Sequence, residues 1–121
     1  MKVIRVSEVP KQDRKGNPLF TGPVTMQAII NESLDKSLSI SQVNFSKGAR
    51  NKMHVHSVPQ VLIVTAGKGI VATEKEKATV SVGDVIYTPA GEKHWHGATP
   101  DSEFSHIYVF PAGNKTTQIE D

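Results

Sequence analysis

Apolar and polar residues alternate along this chain in short runs, and no stretch carries apolar residues at helical spacing. Thr79-Val80-Ser81-Val82 alternates strictly, and Phe104, His106, Tyr108 and Phe110 share one parity. Val61 to Thr65 is a continuous apolar run, which predicts a strand covered on both faces. Further strands are predicted over Val24 to Ile30, Leu38 to Phe45, the segment holding His54 and His56, Ile70 to Thr73, Val85 to Tyr87, His94 to Ala98, and Glu103 to Phe110. Turn signals separate them: Ser46-Lys47-Gly48-Ala49, Ala66-Gly67-Lys68-Gly69, Gly83-Asp84 and Pro89-Ala90-Gly91. Within Leu38 to Phe45 the apolar phase changes between Ile40 and Val43, and a bulge near Ser41 or Gln42 would account for it. Many short strands with turns between them predict an all-β sandwich or barrel. The strands alone do not choose among jelly-roll, lipocalin-like and immunoglobulin-like topologies.

The 121 residues are one domain's worth. Residues 1–23 read as an irregular N-terminal segment lying over the domain, 24–110 as the barrel, and 111–121 as a polar tail. The formal charge is +2 with both signs interspersed, so no basic stripe points to nucleic acid. There is no cysteine, which removes disulfides, zinc thiolates and thiol nucleophiles and fits a cytoplasmic protein. Neither a signal peptide nor a membrane-spanning run is visible.

Four of the five histidines fall in two pairs, His54/His56 and His94/His96. Residues two apart on a strand share a face, so each pair points one way. Gln60 can return to the same interior across the turn at Ser57-Val58-Pro59. Imidazoles inside a barrel are costly to bury unless they are hydrogen-bonded or ligate a metal. A single H-x-H is more often a feature of an exposed strand than a metal site, and His106 alone would read as a core or rim histidine.

Two spaced motifs change that balance. From Gly48, five residues precede His54-Val55-His56, three more precede Gln60, and six more precede Gly67. From Gly83, five residues precede Pro89-Ala90-Gly91, and two more precede His94. The pair resembles the two cupin motifs, with Gln60 in place of the usual Glu and Ala98 in place of the usual final Asn. The resemblance implies a double-stranded β-helix, with His54, His56, Gln60 and His94 holding one divalent metal ion. Phe20-Thr21-Gly22, Leu62 to Gly67, and Lys93-His94-Trp95-His96-Gly97-Ala98-Thr99-Pro100, with His106 beyond, are similar to a narrower bacterial subgroup. That subgroup comprises the manganese-dependent cupin hydroxynitrile lyases and small cupins associated with carboxymuconolactone decarboxylases, which also carry Gln at the fourth ligand. It implies His96 and His106 as catalytic proton carriers. Asn51-Lys52-Met53 and Val58-Pro59 depart from the lyases at the pocket wall, so substrate identity does not carry over.

Replacing a carboxylate ligand by an amide leaves the ion's full charge in place, which favours Lewis-acid chemistry over redox chemistry and weakens metal affinity. The expectation is therefore a non-redox, lyase-like enzyme acting on a small hydroxylated substrate such as a cyanohydrin. Manganese is the first metal expected, with iron, nickel, zinc and cobalt as alternatives. A metal-dependent dioxygenase and a non-catalytic ligand-binding cupin are the competing functions. The expected partners are a small-molecule substrate and a second copy of the chain, as a homodimer or larger homo-oligomer, with no nucleic acid or membrane. Trp95 reads as core or interface packing, and Arg50 and Lys52 as solvated charges.

Overall fold

The computed structural model describes residues 1–121 and is all-β apart from one 3-10 turn at Val6–Glu8. Twelve strands follow: β1 Gln12–Asp13, β2 Phe20–Thr21, β3 Val24–Ile30, β4 Leu38–Phe45, β5 Arg50–Asn51, β6 His54–His56, β7 Gln60–Thr73, β8 Lys77–Ser81, β9 Val85–Thr88, β10 His94–Ala98, β11 Phe104–Pro111 and β12 Thr116–Gln118. All pairings are antiparallel. One sheet runs β1-β3-β4-β11-β7-β9. The other joins β8 to the second half of β7, then β10, which pairs with β5 and β6, and these pair with β2 and β12. The two sheets share β7 and curl toward each other, giving the double-stranded β-helix expected from the sequence. No helix is long and apolar enough to cross a membrane.

β7 is where the turn reading of residues 66 to 69 departs from the structure. Val61 to Gly67 pairs with β11, and Gly69 to Thr73 pairs with β10, so a single strand crosses from one sheet to the other. The glycines serve the crossing. Gly67 has φ +69, and a Cβ there would overlap the Glu103 carbonyl; at Gly69 a Cβ would meet the Phe104 ring. The register slip falls at Thr65, between the pairs His106/Val64 and Ser105/Ala66.

The bulge expected on β4 lies instead on its neighbour. β4 pairs with β11 without a break, whereas Ala28 opposes Ser41 and Ile30 opposes Ile40, leaving Ile29 as the extra residue on β3. Ser41, Val43 and Phe45 all face inward, so β4 keeps one phase and Ile40 lies on its outer face. The inward apolar residues Val24, Val43, Phe45, Ala49, Val64, Val80, Ala98 and Phe104 form the core. Phe45 and Phe104 stack with centroids 5.9 Å apart.

Outside, the N-terminal segment closes over β3 and β4. The Gln27 amide donates to the Val6 and Val9 carbonyls at 2.9 and 3.0 Å, and its oxygen accepts from Asn44 and Gln42 at 3.0 and 3.3 Å. Gln27 is thus buried with its polar atoms satisfied. The polar tail carries an element that its composition does not announce: β12 pairs Thr116, Thr117 and Gln118 with His56, Val55 and His54.

Candidate metal centre

β6 and β10 lie side by side with His54 opposite His94, which places three imidazoles at one end of the barrel interior. His54, His56 and His94 are all buried, and one ring nitrogen of each lies within 4.8 Å of the others. Each ring is fixed from behind through Nδ1. His54 Nδ1–H donates to the Lys52 carbonyl at 2.6 Å, and His94 Nδ1–H donates to the Glu92 carbonyl at 2.9 Å. A carbonyl only accepts, so these two bonds set the tautomer and leave Nε2 as a lone pair. His56 Nδ1 is 3.0 Å from the Thr116 hydroxyl on β12, and His56 Nε2 is buried with no protein partner. Rings oriented through Nδ1 with Nε2 free are arranged as metal ligands. Gln60, at the start of β7 and buried, brings Oε1 to 3.3 Å from His94 Nε2. The fourth expected ligand therefore stands beside the three imidazoles, and the donor set fits a divalent ion.

Burial dominates the electrostatics of the cluster. It lowers His54 to about 4, against the opposing bond to Lys52. It lowers His56 to about 3, helped by repulsion from His54 and His94. His94 is lowered for the same first reason. All three rings are neutral at pH 7, which is the form that ligates.

His96 and His106 meet one layer along the barrel. His106 Nε2 lies 2.9 Å from His96 Nδ1, so one of the two donates to the other. Desolvation pushes both down, His106 to about 3 and His96 well below its ordinary value, so the pair is neutral at pH 7. Asn51 on β5 holds His96 in place. Its Oδ1 accepts from the His96 backbone N–H at 2.8 Å, and its amide nitrogen lies 3.3 and 3.2 Å from the two ring nitrogens. The sequence places Asn51 at the pocket wall but does not mark its hold on His96, which depends on a contact 45 residues away.

A cavity of about 620 Å³ opens onto this end of the barrel. His54, His56, Gln60 and His96 form its polar floor, and Phe20, Met26, Val43, Tyr108 and Phe110 its apolar wall. His106 is fully buried behind His96. Arg14 and Asn114 line the cavity from the N-terminal segment and the tail, two places the sequence reading left without a role. Arg50 points away: it pairs with Glu120, and its Cζ sits 4.4 Å from the Trp95 ring centroid. Trp95 is half-buried under Arg50 and Lys77 rather than in the core, away from the imidazole cluster.

Residues 41–110 match the family model described as a cupin domain. The chain belongs to the cupin family. It is 36% identical over 91 residues to an (R)-mandelonitrile lyase of Granulicella tundricola, covering 74% of this chain and 70% of that one. Among solved structures, this cupin resembles a cupin-like protein of Thermotoga maritima, with TM-score 0.82 and 28% identity over 100% of this chain and 90% of the other. It also resembles a polyketide cyclase of Streptomyces resistomycificus, with TM-score 0.87 and 17% identity over 98% and 85%, a likeness of fold.

Proposed function

We propose that this cupin is a metal-dependent, lyase-like enzyme that cleaves a C–C bond in a small hydroxylated substrate such as a cyanohydrin. The observation that carries the reading is the pairing of two constellations. Three imidazoles fixed through Nδ1 converge beside Gln60, and a buried His96–His106 pair lies next to them. The mandelonitrile lyase relative supports the reaction class.

His54, His56, His94 and Gln60 would hold the ion, with manganese as the first candidate. When bound, it supplies a Lewis acid for the substrate hydroxyl oxygen. His96, on the cavity floor and neutral, takes the hydroxyl proton as the C–C bond breaks to an aldehyde and a stabilised carbanion. His106 holds the His96 ring through the 2.9 Å contact and shares the added proton until the leaving group takes it. Asn51 fixes the strand carrying His96.

The test is mandelonitrile cleavage, followed as benzaldehyde release, by manganese-loaded and chelated protein. Turnover that disappears on chelation and returns with manganese is expected; no turnover by loaded protein overturns the reading. In the same assay Gln60→Glu should abolish turnover while tightening metal binding, and unchanged turnover would refute the Lewis-acid argument.

The same reading takes a homodimer as the working assembly. Tyr87, Val61, Val109 and Ile40 form one apolar row on the outer face of β9, β7, β11 and β4, with Val85, Ile63 and Ile107 beside it. Tyr87 and Val85 are 66% and 63% exposed, more apolar surface than a lone sheet face normally leaves to water. Light scattering should give twice the chain mass, and Ile63→Lys should lower it.

A further inference from the structure

Arg14 is the one half-buried cation lining the reaction cavity, and it has no counter-ion. The ion pairs of the molecule are Arg50–Glu120 and Lys93–Glu74. The backbone around Arg14 is fixed on both sides: its N–H donates to the Val24 carbonyl at 3.0 Å, and its carbonyl accepts from Asn17 N–H at 3.0 Å. Its Nε donates to Met26 Sδ at 3.1 Å. A thioether is a weak acceptor, so this contact orients the guanidinium without neutralising it. The two terminal nitrogens have no protein acceptor. A guanidinium held by Nε with its outer edge free presents the fork that binds a carboxylate.

The position relative to the reacting groups is set by strand register. Met26 opposes Val43, and Val43 opposes His106, so the three form one inward row across β3, β4 and β11. Two strand spacings separate its ends by about 10 Å. Arg14 touches the far end of that row, and the His96–His106 pair stands at the other. The other charged residues of the cavity, Glu32, Asp35 and Lys36, are exposed at the rim, and Asp35 accepts from the backbone N–H and hydroxyl of Ser37. Between rim and floor the wall therefore carries a single uncompensated positive charge.

We propose that Arg14 anchors a carboxylate of the substrate, making the substrate class a hydroxylated carboxylate whose anionic group stands apart from its reacting hydroxyl. The placement of the hydroxyl rests on the function proposed above; the carboxylate site rests on Arg14 alone. A carboxylate bonded directly to the hydroxyl-bearing carbon would not span the row, whereas one across an aromatic ring or a short chain would.

Calorimetric binding of 4-(hydroxymethyl)benzoate and of benzyl alcohol to manganese-loaded protein tests this without turnover. The carboxylate should bind at least about tenfold more tightly in the wild type, the scale of one charge-assisted contact. Arg14→Met should erase that preference, Arg14→Lys should keep part of it, and the metal content of both variants should be unchanged. Equal affinity for the two probes in the wild type overturns the proposal. So does a preference that survives Arg14→Met, because the carboxylate would then be held by the metal centre. A retained preference in protein that fails to cleave cyanohydrins would count against the proposed reaction and leave Arg14 as the anchor.

Discussion

The two halves of the barrel interior are built by the same strands for opposite purposes. β11 turns Phe104 and His106 inward, and β10 turns His94, His96 and Ala98 inward. Around Phe104 the inward positions are apolar and packed ring on ring. Two residues further along the same strand they become imidazoles, also buried and held by side-chain and backbone hydrogen bonds. Burial stabilises the first half through area removed from water. In the second half burial costs free energy, and what it provides is a set of neutral, oriented nitrogens. Stability and function are therefore separable by position along one strand.

The largest expected effect falls on the packed half. Phe104→Ala removes a ring that is 0% exposed and should lower unfolding free energy by about 3–5 kcal/mol in a urea titration. His56→Ala should behave in the opposite way. It deletes a ligand and a buried, unpartnered Nε2, so metal affinity should fall by at least ~100-fold while metal-free stability changes by less than about 1 kcal/mol. A large loss of metal-free stability in that variant would erase the contrast between the halves.

Between pH 7.5 and 5, above the carboxylate range, acid should act chiefly on the imidazole half. His56 and His106 sit at about 3 in the folded protein against an ordinary value of 6.5. Between those values the unfolded chain binds protons that the folded chain does not, so stability falls as pH drops through that window. Thermal melts of chelated protein should show a Tm at least about 5 °C lower at pH 5 than at pH 7.5, corresponding to roughly 1 kcal/mol. The smallest effect belongs outside both halves: Glu120→Ala breaks a half-buried pair with Arg50 and the bond that its carboxylate accepts from the Met53 N–H, and should cost about 1 kcal/mol in the same melts.

The sequence made much of the metal end legible, because ligand spacing and strand parity are both local. His54, His56 and His94 could be placed together from two short motifs, and parity set Trp95 apart from them. What escaped was non-local. The crossing of β7 read as a turn because glycine marks tight turns and close approaches equally, and here it marks approach to Glu103 and Phe104. The bulge was legible as a phase conflict, but its side of the β3–β4 pair was not. The roles of Asn51, Arg14 and Thr116 escaped because each acts through a partner far along the chain.

β12 lies outside the packed interior, and its three residues are exposed, yet its Thr116 hydroxyl holds the ring of His56. The centre thus has an external adjustment. A substitution at Thr116 or at Asn114, whose amide also reaches that hydroxyl at 3.1 Å, changes which way one ligand leans without moving a core atom. An exposed three-residue strand thus reaches a buried imidazole that the packed interior alone does not hold.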